Sequence, residues 1–153
     1  MAGVMHIEKT RLRKQFQSGD AMQISTLLSD ELGKYLDLSN SELKLTAQNM
    51  ANVDTPGYRT VGFNFAEEME GAMHEVLANR KREMEGDRDS EMSTSSPQVD
   101  LVDGLIERPD GNNVSMDREG LKMAEAQLKF RTGVALLKSE YSSILDAIHV
   151  DQK

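Results

Sequence analysis

The sequence predicts a mainly α-helical fold, in which long N- and C-terminal amphipathic helices pack as a coiled-coil-like bundle around a flexible or weakly β central insertion. Two observations predict this fold. Apolar residues recur at helical spacing over residues 21–54 and again over residues 112–150. Between them, residues 79–111 are rich in charged residues and Ser and poor in apolar ones. Only 38% of the 153 residues are hydrophobic, so we expect the helices to complete their burial in other subunits.

The composition argues against several classes of protein. The 26 acidic and 18 basic residues leave a net charge of −8, which argues against nucleic acid as the main partner. No apolar run approaches the roughly 18 to 20 residues that span a bilayer, and the N-terminus lacks the apolar core of a cleaved secretion signal. The absence of cysteine excludes disulfides, thiolate metal sites and thiol nucleophiles.

Residues 1–20 form a polar segment with a local excess of basic side chains, in contrast to the acidic remainder of the chain. The basic residues are Lys9, Arg11, Arg13 and Lys14. A terminal segment with few apolar residues to bury is expected to be a disordered, mobile tail.

The first helix is predicted over residues 21–54. Its apolar residues are separated by three, four or sums of these spacings, which places them on one side of a helix: Ile24, Leu28, Leu32, Tyr35, Leu43, Met50 and Val53. Two polar residues, Ser39 and Thr46, share that side. Ser39 and Glu42 have the spacing of a capping box, so the pattern fits either a helix that restarts at Ser39 or one continuous helix with two polar gaps. We favour the continuous helix.

A turn and a short helix are predicted over residues 55–78. Thr55 precedes Pro56 and is therefore disfavoured in the α region, which ends the first helix near Asn52. Thr55-Pro56-Gly57-Tyr58 places Pro and Gly where a type II turn requires them. The short helix follows from the spacing of Phe65, Met69, Met73, Val76 and Leu77.

The central insertion is assigned to residues 79–111. A run of mixed charge leads into a stretch of Ser and Thr that ends at Pro97, and too few apolar residues are present to offset the entropy of ordering it. Four apolar residues surround Gly104 and fit a weak hairpin or a disordered loop equally well: Val99, Leu101, Leu105 and Ile106.

The C-terminal helix, residues 112–150, carries two apolar stripes. The main stripe contains Met123, Phe130, Val134, Leu137, Tyr141, Ile144, Leu145 and Ile148, and the second contains Leu121, Ala124, Leu128 and Ala135. Two stripes require two neighbours, so the chain is interpreted as an assembly subunit. The candidate assembly interface comprises Leu28, Leu32, Tyr35, Leu43, Met50, Met123, Phe130, Val134, Leu137, Tyr141, Ile144 and Ile148.

No constellation of residues suggests chemistry. His6, His74 and His149 lie in three separate segments without a second ligand at metal-binding spacing. No Gly-rich phosphate loop or activated nucleophile is found. We therefore expect no catalytic, metal or cofactor site, and no enzymatic activity.

Two motifs resemble one family. The string AQNMANVDTPGYR, residues 47–59, resembles the N-terminal signature of the bacterial flagellar axial proteins, which form the rod and hook; the matching residues are Asn49, Ala51, Asn52, Thr55, Pro56, Gly57 and Tyr58. The string DGNNVSMDREGLKMAEAQLKF, residues 110–130, is similar to the start of the C-terminal helix in the proximal rod members of that family. Ala126 and Phe130 depart from the Asn and Tyr common in the family at these positions.

The resemblance implies a structural subunit of the proximal rod in the flagellar basal body, which transmits torque as part of the drive shaft and is required for motility. It further implies export through the flagellar apparatus without a cleaved signal peptide, and a final location in the periplasmic rod. The implied partners are other copies of the chain, other rod and export-gate proteins and the export apparatus, with no nucleic acid, small-molecule substrate or cofactor. Another flagellar axial protein and a helical export chaperone or adaptor are the alternatives.

Overall fold

A computed structural model describes residues 25–85 and 96–150 of the chain. They form three helices, α1 (Leu27–Ala51), α2 (Phe65–Met84) and α3 (Met116–Val150), and two short strands, β1 (Val61–Gly62) and β2 (Asp100–Leu101). Both α3 and α2 pack against α1, which is therefore the central element. The predicted mainly α fold with a weak β contribution is confirmed. Within the described residues, no helix is long and apolar enough to cross a membrane.

Helix α1 begins with a capping box. The hydroxyl of Thr26 accepts the backbone N–H of Ser29 at 3.0 Å, and the hydroxyl of Ser29 accepts the N–H of Thr26 at 2.8 Å. The helix therefore begins at Leu27 rather than at residue 21, and residues 21–24, like the predicted tail, lie outside the described residues. At the other end, Asn52 caps the helix, close to the predicted stop.

Helix α1 runs without a break through its two polar positions. Ser39 donates its hydroxyl to the carbonyl of Tyr35 at 2.7 Å, and Thr46 donates to Glu42 at 2.9 Å. Each hydroxyl is thus satisfied within the helix, which allows Ser39 to be 0% and Thr46 3% exposed. The continuous interpretation is correct, and the two positions are small side chains in the buried face rather than gaps.

Helices α1 and α3 pair antiparallel along a seam of small and polar residues. The α1 residues Thr26, Leu36, Glu42 and Asn49 approach, in that order, Glu140, Gly133, Lys129 and Glu119 of α3. Glu119, Gly133 and Glu140, with the fully buried Ala126, are seven residues apart, the period of a coiled coil. The seam lies beside the predicted main stripe rather than within it.

Both apolar stripes of α3 are left wholly or partly uncovered. Leu121, Leu128 and Ala135 lie two positions beyond seam residues, a rotation of about 200° that turns them away from α1. Leu121 is 62% and Leu128 67% exposed. In the main stripe, Phe130, Tyr141, Leu145 and Ile148 are exposed. Helix α3 also begins at Met116, so the predicted helix over residues 112–150 is wrong at its start.

Helix α2 is longer than predicted. It continues to Met84, so the placement of residues 79–84 in a flexible insertion is wrong. The reason is a set of contacts to α1: Arg80 binds the Asp30 carboxylate at 2.9 Å and the Ser25 carbonyl at 2.8 Å, and Glu75 binds Lys34 at 3.2 Å. Val76 is buried on the same side.

The two strands join distant parts of the chain. β2 pairs antiparallel with β1, with Val61 opposite Leu101, so the hairpin considered within residues 99–106 is not formed. The N–H of Val102 also donates to the Thr60 carbonyl at 2.9 Å. This part of the insertion is therefore ordered by a strand about forty residues earlier, a long-range contact that local patterns do not reveal.

Gly133 provides the first testable prediction. A Cβ atom at this position would lie 2.8 Å from Cδ2 of Leu36, so a large side chain would separate α1 from α3. Gly133→Leu should lower the free energy of unfolding by about 1–3 kcal/mol, measured by urea denaturation. Gly120 in the same helix has no atom within 4 Å of such a Cβ, and Gly120→Ala should raise stability by about 0.5–1 kcal/mol. Equal effects of the two substitutions would contradict the seam.

Candidate functional site

The two sequence motifs meet at one end of the α1–α3 pair. Asn49 from the first motif and Asn112, Asn113 and Glu119 from the second are all buried there. We call these four residues, together with Tyr58, Thr60 and Arg118, the asparagine junction. Each of its members is held by hydrogen bonds that cross between the two halves of the chain or join neighbouring elements.

Asn49 is the centre of the junction. Its amide nitrogen donates to the Val61 carbonyl at 2.8 Å and to Oε2 of Glu119 at 3.0 Å. Its amide oxygen accepts the Tyr58 hydroxyl at 3.0 Å and the Val61 N–H at 3.1 Å. The side chain, 1% exposed, thus makes four hydrogen bonds, the full capacity of a primary amide. It connects α1, the turn, β1 and α3.

Glu119 is a buried carboxylate with two partners. Its side chain is 0% exposed, and Oε1 accepts Nε of Arg118 at 3.2 Å while Oε2 accepts Asn49. The same guanidinium donates to Oγ1 of Thr60 at 3.1 Å. A buried charge destabilises a fold unless it is paired and hydrogen-bonded, so Arg118 and Asn49 together make the position of Glu119 tolerable.

Asn112 and Asn113 attach the second motif to the first. The amide nitrogen of Asn112 donates to the carbonyls of Asn52 and Thr55 at 2.9 and 2.8 Å, which satisfies backbone groups left free where α1 ends. The amide oxygen of Asn113 accepts the N–H of Thr60 at 2.7 Å. Residues 112–115 precede α3 and belong to neither a helix nor a strand, so their side chains are free to enter the junction.

The turn between α1 and β1 has the predicted form. Gly57 has φ of 73°, and the N–H of Tyr58 donates to the Thr55 carbonyl at 3.2 Å, as in a type II turn. The N–H of Gly57 donates to the Asp110 carbonyl at 2.8 Å. Gly111, with φ of 80°, approaches so closely that a Cβ there would lie 3.4 Å from Cα of Gly57. The two glycines thus let the motifs touch backbone to backbone.

The surroundings of Tyr58 in the junction raise the pKa of its phenol. Burial raises the pKa of the Tyr58 phenol above its ordinary value of 10.0; a hydrogen bond with Gln48 lowers it, and the negative charge of Glu119 raises it further. A neutral phenol is the form that can donate to Asn49. Tyr58 can therefore donate to Asn49 up to a higher pH than an exposed tyrosine could.

A second polar contact joins all three helices. Nζ of Lys129 on α3 lies 4.2 Å from the centre of the Phe65 ring on α2 and 2.8 Å from a carboxylate oxygen of Glu42 on α1. Phe65 also packs edge-on against Tyr35, with ring centres 5.4 Å apart. Lys129 therefore sets the start of α2 against the α1–α3 pair.

The predicted motif residues have different roles in the structure. Asn49 and Tyr58 belong to the junction, Asn52 and Thr55 offer it their carbonyls, and Gly57 forms the turn, whereas Ala51 and Pro56 are exposed. Sequence reasoning missed Thr60, Asn112, Asn113, Arg118 and Glu119 as partners of the first motif. Four of these residues lie in the second motif, residues 110–130, and Thr60 directly follows the first motif. Neither string by itself indicates that the two motifs touch.

The predicted interface residues differ in exposure within the single chain. Leu32 is buried. The half-buried members are Tyr35, Leu43, Met50, Met123, Val134, Leu137 and Ile144, and the exposed members are Leu28, Phe130, Tyr141 and Ile148. Among the described residues, no group of three or more His, Asp or Glu is placed to hold a metal ion.

The arrangement defines a class of mainly α-helical protein, in which α1 and α3 are joined by a polar seam and a buried junction while apolar side chains of α3 stay exposed. The chain belongs to the FlgB family of flagellar basal body rod proteins. It is 31% identical over 123 residues to the flagellar basal body rod protein FlgB of Salmonella typhimurium, which covers 74% of this chain and 86% of that protein.

Two further relatives carry the same name. The FlgB protein of Escherichia coli K12 is 26% identical over 121 residues, covering 74% of this chain and 86% of its own. That of Buchnera aphidicola is 25% identical over 116 residues, covering 72% and 85%. No family model matches the chain. The family resemblance of the two motifs is therefore confirmed by relatives that match 72–74% of the chain.

Asn49 gives a test of the junction. Asn49→Ala removes the partner of Oε2 of the buried Glu119 carboxylate, which keeps Arg118 on Oε1, and the partners of the Val61 backbone N–H and carbonyl. Each buried group left unpaired costs about 1–3 kcal/mol. We expect the free energy of unfolding to fall by at least that amount in urea titration. Asn40→Ala, at an exposed position of the same helix, should change it by less than about 0.5 kcal/mol. A loss no larger at Asn49 than at Asn40 would show that the junction is not structural.

Two substitutions at Gly57 test the backbone conformation of the turn. A β-branched side chain is strained at φ of 73°, so Gly57→Val should destabilise the chain by about 1–2 kcal/mol. Asn is the side chain that best tolerates this conformation, so Gly57→Asn should retain most of the stability. Thermal unfolding of both variants checks the prediction, and identical melting temperatures would refute the strain.

Proposed function

We propose that the chain is a structural subunit of the proximal rod of the flagellar basal body, that it transmits torque as part of the drive shaft, and that motility requires it. Its relatives are named as flagellar basal body rod proteins, which supports the basal body as its location and the rod as its assembly. No enzymatic activity, cofactor or small-molecule substrate is part of the proposal.

One structural observation carries this proposal: the distribution of apolar and polar residues on α3. The side that pairs with α1 holds Glu119, Ala126, Gly133 and Glu140, whereas the leucines of the second stripe face away. Burying a leucine side chain contributes about 1.5–3 kcal/mol, and the single chain forgoes most of that gain at Leu121 and Leu128. A subunit that gains this burial from its neighbours accounts for the pattern.

The proposed partners are other copies of the chain, other rod proteins and proteins of the export gate, with the flagellar export apparatus as the route. We further propose that the chain is exported without a cleaved signal peptide and takes its place in the periplasmic part of the rod. The seam supports export in unfolded form, because its polar contacts join residues 70 to 114 positions apart and little of it can form before both ends are present.

The apolar stripe gives the experiment. Leu128→Asp introduces a charge at a position that is 67% exposed in the single chain, so the isolated variant should lose less than about 0.5 kcal/mol of stability. In the rod, the same carboxylate would be desolvated, at a cost of about 2 kcal/mol or more. Cells that carry Leu128→Asp as their sole copy should be non-motile, whereas Gln127→Asp, at the adjacent exposed position, should swim normally. Leu128 is a sharper test than the half-buried Leu137, where a charge would also disturb the chain itself.

Purified basal bodies separate the alternatives. The unsubstituted chain and Gln127→Asp should be found in them, and Leu128→Asp should be missing. Motility with Leu128→Asp, or equal loss with both variants, would reject the stripe as an assembly surface. Recovery of the unsubstituted chain solely as a cytoplasmic dimer, absent from basal bodies, would identify an export chaperone or adaptor instead.

A further inference from the structure

The outer side of α2 carries a shallow apolar groove. It has a volume of about 470 Å³ and is lined by Phe65, Ala66, Met69, Glu70, Met73, His74 and Leu77. We call it the α2 groove. Met73 and Leu77 are 39% and 49% exposed, whereas the neighbouring Val76 is buried. The groove is therefore an apolar surface that nothing covers among residues 25–85 and 96–150.

The groove lies in an acidic stretch of helix. Residues 65–79 contain four Glu and no Lys or Arg. Glu75 is paired with Lys34, and Glu68 accepts the backbone N–H of Gln98. Glu67 and Glu70 are exposed and form no ion pair within the described part of the chain. The occupant that fits this groove combines apolar side chains with positive charge.

The N-terminal segment joins the described structure beside the groove. Arg80, three residues beyond Leu77 on α2, donates to the carbonyl of Ser25 at 2.8 Å. Because Arg80 also binds Asp30 at 2.9 Å, the point at which residue 24 connects is held against the C-terminal end of the groove. The preceding residues are therefore tethered next to it, at high effective concentration.

The composition of that segment complements the groove. Residues 9–24 contain the basic cluster Lys9, Arg11, Arg13 and Lys14 and the apolar side chains Leu12, Phe16, Met22 and Ile24. The groove from Phe65 to Leu77 is about 18 Å long at 1.5 Å per helical residue. Ten residues separate Lys14 from Ile24 and can span up to about 33 Å. The basic cluster can thus reach Glu70, which lines the groove, and Glu67 in the first turn of α2.

We propose that residues 9–24 dock in the α2 groove of their own chain, with apolar side chains against Met69 and Met73 and basic side chains beside Glu67 and Glu70. Burial of apolar area supplies the attraction, and the opposite charges select the direction in which the segment lies. This inference concerns the single chain and does not depend on the proposed function.

The absence of cysteine makes a direct test possible. Gln17→Cys in the full chain gives a single site for a nitroxide spin label, and methionine methyl groups serve as NMR probes. We expect the label to remove the Met69 and Met73 signals and to spare Met116, which lies at the start of α3. Mixing labelled chains with unlabelled, NMR-visible chains should leave all the signals intact, because docking occurs within one chain.

Charge reversal supplies the matched control. Glu67→Lys with Glu70→Lys, or Arg11→Glu with Arg13→Glu, should each restore the Met69 and Met73 signals, and combining all four substitutions should remove them again. The Arg11 and Arg13 changes alter no described residue, so they remain informative if the α2 variants fail to fold. Signals at Met69 and Met73 that the label never affects would overturn the proposal. Signal loss solely in the mixed sample would assign the groove to a second copy and would equally overturn it.

Discussion

The buried pair of Asn49 and Glu119 is the constraint on which the rest of the structure depends. A primary amide with 1% exposure and a carboxylate with none must both find partners, and these partners come from four different elements. Removing any of them leaves a buried polar group unsatisfied, which is far more destabilising than the loss of one exposed hydrogen bond. The end of α1, the turn, β1 and the start of α3 therefore form as one unit.

The requirement that buried polar groups find partners also applies along the seam between α1 and α3. Ser39 and Thr46 satisfy their own hydroxyls within α1, and their small size, together with Ala126 and Gly133 on α3, lets the two helices approach closely. Register is then set by specific polar contacts at the levels of Glu119, Lys129 and Glu140 rather than by a continuous apolar ridge. A polar contact requires two particular atoms to meet, whereas an apolar contact tolerates a shift of one helix along the other. The inner surface of the pair therefore specifies alignment, and the outer surface keeps its apolar residues.

This division relates the fold to membership in the FlgB family. A subunit that kept its apolar residues inside would be stable alone but would offer little to its neighbours. Here α3 directs Leu121 and Leu128 away from α1, and both side chains are exposed. An exposed apolar stripe on α3 suits the rod subunit proposed above, because such a surface gains burial only when a neighbour is present.

The sequence by itself determined the local features. Periodicity predicted α1 and α3, and Pro56 with Gly57 predicted the turn, because helix faces and turn dihedrals depend on residues a few positions apart. The two motifs identified the family. Tertiary structure decided which side of α3 faces α1. A helical pattern ranks the sides of a helix by hydrophobicity, yet the side of α3 at the seam holds Glu119, Ala126, Gly133 and Glu140. It also decided where α2 ends, because the ion pair between Arg80 and Asp30 stabilises the C-terminal part of that helix. The pairing of β1 with β2 and the hydrogen bond between Asn49 and Glu119 are tertiary contacts of the same kind. These contacts join residues 40 to 70 positions apart, and no local pattern encodes such distances.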